Sequence, residues 1–159
     1  MANLGWLMAR GLGGPRDVTA ARELYEAAIT KGNAAAMNRL GLIYANGDGL
    51  AKDEARAREL YQQAAAAGEA AGTRNLMRMD IGTATRERRH GEALDIQERL
   101  VQLVEAYDTS VAGAPGDDTA TAFATLGWIA LLAGKTDRAL AAVERSLDLR
   151  RDRLATRLT

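Results

Sequence analysis

The sequence contains no cysteine, two prolines, one histidine and seven aromatic residues among 159. Without cysteine there can be no disulfide, thiolate zinc cluster or thiol nucleophile, and the redox compartment stays open. Equal numbers of basic and acidic residues, 21 of each, leave no net charge. That removes the basic excess with which a nucleic-acid surface displaces counterions, so no nucleic-acid partner is expected. Uncharged stretches fall short of the ~20 residues that span a bilayer, so membrane insertion is not expected either. No signal peptide is visible, because the opening residues lack a basic start, and Arg10 and several glycines interrupt any apolar stretch. A cytoplasmic location is therefore favoured, although a start almost inside the first motif, at Asn3-Leu4-Gly5, suggests a fragment of a longer protein.

What the chain does have is alanine (33) and leucine (20), together a third of its residues, which favours helix throughout and disfavours a β-sandwich or barrel. It also has a repeat. Laying residues 1–36 on residues 37–72 without a gap matches 16 of 36 positions, where chance gives about two or three. The matches include Leu4/Leu40, Gly5/Gly41, Gly11/Gly47, Gly13/Gly49 and Asp17/Asp53, and the run Ala21-Arg22-Glu23-Leu24-Tyr25 recurs from Ala57 to Tyr61.

Met37, Leu40, Gly41 and Tyr44 fall at the i, i+3, i+4, i+7 spacing of one helix face, and Ala57, Leu60, Tyr61 and Ala64 repeat it. Each unit is thus a pair of amphipathic helices. Gly47-Asp48-Gly49 between them ends the first helix, Asp53 is placed to cap the second, and Gly68 closes it. Asn46-Gly47 would also suit a β-hairpin, but the flanks have period 3.6 rather than 2. Gly5 and Gly41 lie inside helices, where glycine costs about 1 kcal/mol relative to alanine. They are expected where paired helices cross closely.

After residue 72 the pattern loosens. A degenerate helical unit is expected over 73–108, with one helix from about 71 to 89 and another over 92–107 carrying Ala93, Ile96, Leu100, Leu103, Val104 and Tyr107 on one face. A loop follows over 109–118, with Asp118 as the next N-cap. In 119–159, Phe123, Leu126, Gly127 and Ala130 repeat the first-helix pattern, Ala139, Val143 and Leu147 carry the second helix, and Leu154 and Leu158 would extend it as a terminal cap. The whole is expected to form one continuous domain.

On these residues the chain resembles two known families. Residues 2–72 look like two Sel-one-like repeats, through Leu40-Gly41-Leu42-Ile43-Tyr44, Gly47-Asp48-Gly49-Leu50 and the stretch from Asp53 to Gly68. The first unit departs at Met8 and Gly14, both packing positions. Residues 120–150 resemble a tetratricopeptide repeat, through Leu126-Gly127, Gly134, Ala139 and Val143, without its closing proline. The resemblance implies an all-α fold, an α-solenoid of stacked helix-turn-helix repeats, used as a protein-protein interaction scaffold or adaptor for a protein or peptide partner. Alternatives are a regulatory or accessory domain of a larger protein, and a structural element that self-assembles into a homo-oligomer through its exposed ends.

Catalytic groups are scarce. His90, in Arg88-Arg89-His90-Gly91, reads as the end of one helix and its turn. Ser110 and Ser146 lie in no nucleophile motif, and Asp53-Glu54 and Asp117-Asp118 head helices. The Gly11 to Gly14 run lacks the strand and Lys-Thr/Ser of a phosphate loop. No enzyme activity, metal or cofactor is expected. Binding residues follow from the resemblance, in which the first helix of each pair lines the concave face: Trp6 and Arg10, Asn38, Leu42 and Asn46, Arg74 and Arg78, and Trp128. Tryptophan and arginine are enriched among interface anchors, while packing against neighbouring helices is the competing role for both tryptophans. The arginines from 74 to 89 are interleaved with Asp80, Glu87 and Glu92, which suits a solvated face.

Overall fold

The computed structural model describes residues 1–112 and 117–157. Among these residues every regular element is a helix: α1 (Ala2–Arg10), α2 (Val18–Ile29), α3 (Ala34–Asn46), α4 (Glu54–Ala66), α5 (Ala70–Arg86), α6 (His90–Ala112), α7 (Asp117–Leu132) and α8 (Thr136–Arg157). Stacked helix-turn-helix repeats of this kind make an α-solenoid fold. None of these helices is long and apolar enough to cross a membrane. The chain divides into two compact units, Met1–Leu76 and Met77–Thr159.

In the first unit α1 packs on α2, α2 on α3, and α3 on α4. The expected stripe on α4 is buried throughout, with Ala57, Leu60, Tyr61 and Ala64 at most 2% exposed. Asp17 and Asp53 accept hydrogen bonds from the backbone N–H groups of Ala20 and Arg56, both at 2.9 Å, as capping carboxylates should. Asn33 does the same for Ala36 at 2.8 Å, a cap that the repeat comparison alone does not reveal because Glu69 holds the matching position.

The glycines inside α1 and α3 are crossing points. A Cβ on Gly41 would stand 2.7 Å from Cε1 of the buried Tyr61 ring, and one on Gly5 would stand 3.2 Å from the same atom of Tyr25. Each Leu-Gly pair thus receives the tyrosine twenty residues further on. The second unit replaces the ring with a branched aliphatic, since a Cβ on Gly127 would lie 2.7 Å from Cγ2 of Val143.

In the second unit α6 packs on α7, and α7 on α8. Ile81, Ala84, Ala93, Leu94, Leu100, Val104, Ile129, Ala130 and Ala139 form its core. Several expectations shift here. On α6 the buried residues include Leu94, Gln97 and Val101, whereas Tyr107 is 45% exposed. Gln97 is tolerated inside because its side-chain amide donates to the Ala122 carbonyl at 2.9 Å. On α8 the buried stripe is Ala139, Ala142 and Ser146, and Val143 and Leu147 are exposed. Small side chains let α8 lie close to its neighbours, and Ser146 donates to the Ala120 carbonyl at 2.8 Å. The expected loop is helical at both ends, with α6 reaching Ala112 and α7 starting at Asp117, so Asp118 sits in the first turn instead of capping it. Residues 113–116, the Leu154 side chain and Leu158 lie outside the described residues, and with them the expected terminal cap.

The turn between α5 and α6 breaks a rule that the turns after α2, α4 and α7 keep. Gly32, Gly68 and Gly134 close their helices with positive φ, and the N–H of the next residue bonds back to the carbonyl five positions before it. Arg88 makes the same turn at φ 59, with Arg89 N–H bonded to the Ala84 carbonyl at 2.8 Å. A side chain at that φ is strained. His90 accordingly begins α6 and does not end α5.

Two stability tests follow. Gly41→Ala should destabilise by about 2 kcal/mol, because overpacking against a buried ring outweighs the ~1 kcal/mol gain in helix propensity, and Gly5→Ala should cost less. Urea unfolding of both variants measures the order. Arg88→Gly should raise stability by about 0.5–1 kcal/mol through relief of the left-handed strain, seen as a higher melting temperature.

Candidate functional site

The first unit contains a cleft of about 510 Å³ between α1 and α3. Trp6, Ala9 and Arg10 of α1 form one wall, and Asn38, Arg39, Leu42, Ile43 and Asn46 of α3 form the other, with Tyr25 and Asp48 completing the lining. These two walls are the first helices of successive repeats, so every 36-residue period contributes the same face.

Two arginines fasten the walls. Arg39 Nη1 donates to the Ala2 carbonyl at 3.2 Å and to Asn3 Oδ1 at 3.3 Å, holding α3 to the start of α1. Arg16 donates through Nε to the Ala9 carbonyl at 2.9 Å and pairs with the Asp48 carboxylate, linking the loop of the first repeat to that of the second. Both ions of that pair are exposed, so its net contribution is under about 1 kcal/mol; its effect is on position. Neither arginine carries a signature in the repeat comparison, because each joins residues more than thirty positions apart.

Other lining groups are unspent. The Arg10 guanidinium lies 5.9 Å from the Trp6 ring centroid, within cation–π range, and forms no ion pair with any described residue. Trp6 keeps 38% of its surface exposed and Leu42 39%. The Asn46 side chain makes no hydrogen bond with any described residue. Asn38 is 8% exposed and accepts from Asn75 Nδ2 through its Oδ1 at 2.8 Å, which leaves its NH2 group as a donor beside the cleft. The lining therefore combines an apolar patch with several hydrogen-bond donors. Burial raises the Tyr25 hydroxyl above its ordinary pKa of 10.0, against the opposing influence of Arg39 and Arg10.

Of the eight residues singled out from the sequence, Trp6, Arg10, Asn38, Leu42 and Asn46 share this cleft. Arg74 and Arg78, on α5, are not among its lining, and each already interacts with another group. Trp128 is 61% exposed and lines a different cleft of about 430 Å³ between α7 and α8.

Among the described residues no three His, Cys, Asp or Glu side chains come together to hold a metal. Ser146 is spent on the Ala120 carbonyl, and Asp53 on its cap. Paired helices stacked in register, with an open cleft and no catalytic constellation among the described residues, define an α-helical repeat protein of the solenoid class.

Comparison with known proteins narrows the class. Residues 1–33 and 34–69 each match the Sel1 repeat, so over these residues the chain is similar to the Sel1-repeat family. The chain is also similar to the crystal structure of a Sel1 repeat protein from Oxalobacter formigenes, at 25% sequence identity and a TM-score of 0.60. That similarity covers 92% of this chain, and so reaches into the second unit, but only 56% of the other. This chain thus spans little more than half the length of that protein. No match is found among curated proteins.

The Tyr25 environment gives a pH test. The unfolded tyrosine ionises near its ordinary value while the folded one holds its proton longer, so the folded state binds more protons above about pH 10 and stability falls there as pH rises. Tyr25→Phe should flatten that alkaline loss in urea melts run on either side of pH 10, although it leaves the lower-pH baseline nearly unchanged.

Proposed function

We propose that this protein is a non-catalytic interaction module, a scaffold or adaptor that holds a segment of another protein in the cleft between α1 and α3. The observation that carries this reading is the lining itself: an apolar patch of Trp6 and Leu42 next to the donors of Arg10 and Asn46, neither of which has a hydrogen-bond or ion-pair partner among the described residues. A donor-rich cleft suits an extended segment, whose backbone carbonyls and acidic side chains accept while an apolar side chain rests on Trp6. Desolvating Arg10 and Asn46 without acceptors would cost affinity, so apolar segments lacking acidic neighbours bind less well.

A second reading is an accessory or regulatory repeat domain whose parent carries catalysis elsewhere. Its support is that the similar Sel1 repeat protein is longer than this chain.

Affinity capture from lysate of the source cells, with wild type beside the Trp6→Ala/Leu42→Ala/Asn46→Ala variant, tests the cleft. All three side chains are exposed, so the variant should fold with unchanged helix content. Proteins that bind the cleft should fall at least tenfold in the variant eluate. Equal recovery of every protein by both forms would overturn the assignment.

A further inference from the structure

We propose that copies of this chain stack through a heterologous contact, in which α1 of one copy lies on α8 of the next as α3 lies on α2 within the chain. The α2–α3 contact joins the first repeat to the second. Val18, Tyr25 and Ile29 stand on one face of α2, at i, i+7 and i+11, and pack in one cluster with Leu40 and Ile43 of α3. There Leu40 is 1% exposed and Ile43 8%. The loop after α3 joins in, since a Cβ on Gly49 would stand 2.6 Å from Cγ2 of Val18.

Each half of this contact recurs without its complement. In α1 the 36-residue period sets Leu4 at the position of Leu40 and Leu7 at that of Ile43, yet they are 52% and 38% exposed. Gly13, at the position of Gly49, has nothing within 4 Å of where its Cβ would be. In α8 the crossing points give the register, because Val143 meets Gly127 as Tyr25 meets Gly5. Counted from there, Thr136, Leu140 and Leu147 hold the positions of Val18, Arg22 and Ile29. Burial agrees: Ala139 and Ser146 are buried, as Ala21 and Ala28 are, while Leu140 (62%), Val143 (42%) and Leu147 (60%) are exposed. Thr136 is the first residue of α8, as Val18 is of α2, and it too is exposed. In the stack Leu4 and Leu7 cover Val143 and Leu147, and Thr136, branched like valine, closes on Gly13. No charged side chain of α1 is desolvated, since its only one, Arg10, lines the cleft instead. The five aliphatic side chains expose on the order of 500 Å² of apolar surface, at the small and reversible end of specific interfaces. Because the two halves lie on different elements, each contact leaves one of each kind free, and association continues past the dimer.

Sedimentation velocity over a wide concentration range, on the full chain, tests the proposal. Wild type should form reversible species that grow past the dimer as concentration rises. Leu4→Glu blocks the α1 half and Leu147→Glu the α8 half, so each variant alone should associate about a hundredfold or more weakly than wild type. Mixed in equal amounts, the two should form a 1:1 dimer and nothing larger, with a dissociation constant within about threefold of the wild-type contact, because each supplies the half that the other lacks. Loss of stability in either variant would not produce that rescue. Circular dichroism on each variant checks the helices; where Leu4→Glu loosens α1, Leu12→Glu in the loop beside Gly13, at a residue 51% exposed, blocks the same half. A wild type that stays monomeric at every concentration, or stops at a dimer, overturns the proposal. A mixture that stays monomeric, or a single variant that associates like wild type, overturns it equally.

Discussion

The close approach of a glycine on α1, α3 or α7 to a bulky side chain on the following helix is the contact on which these three helix pairs depend. Gly41 gives way to the Tyr61 ring, Gly5 to Tyr25, and Gly127 to Val143. A helix interior is an unfavourable place for glycine, and the residue is retained there because a Cβ would occupy space the partner needs. Once the crossing point is set, the other features follow. The capped start of the second helix falls where Asp17 or Asp53 can reach it, and the first helices of successive repeats come side by side. The cleft between α1 and α3 is the outer surface of that arrangement.

The two units solve the same packing problem in different ways. In the first, short helices of 9 to 13 residues are joined within each pair by a long glycine-containing loop. In the second, helices of 16 to 23 residues are found, and tight turns at Arg88 and Gly134 replace the loop. Longer helices bury more surface per helix pair, so the second unit relies less on an aromatic lock. It also places polar groups inside, where Gln97 and Ser146 each donate to a backbone carbonyl of α7. Such bonds stabilise by about 1 kcal/mol each at most and mainly fix which residues face each other.

How much of this was legible in the sequence depended on whether a feature repeats. Period, helix pairing, caps at Asp17 and Asp53, and the crossing role of Gly5 and Gly41 are all written twice, 36 residues apart, and could be read. Five of the eight residues singled out for binding share one cleft because the same register places them on equivalent helices. Features present once were harder. The α5–α6 turn at Arg88 was invisible because the residue that marks such turns elsewhere is glycine, and His90 was placed on the wrong side of it. On α8, branched residues drew attention to Val143 and Leu147, although the helix buries Ala139, Ala142 and Ser146. A stripe of small side chains has a weak hydrophobic signal, yet allows the closest contact. The clasps made by Arg16 and Arg39 cross more than thirty residues and leave no local pattern.

The Arg39 clasp bears on how the cleft behaves over time. One of its walls is α1, nine residues long, with only Gly5 fully buried. Isolated helices below about 12–15 residues are marginal in water, so α1 owes its persistence to its contacts with α2 and α3 and to the bonds Arg39 makes at Ala2 and Asn3. A short helix with little buried surface belongs to the low end of a protein's local stability range. A segment seated in the cleft, as proposed, would also brace the helix. Occupancy and local folding would then be thermodynamically linked, with part of the free energy of binding going into ordering one side of the site.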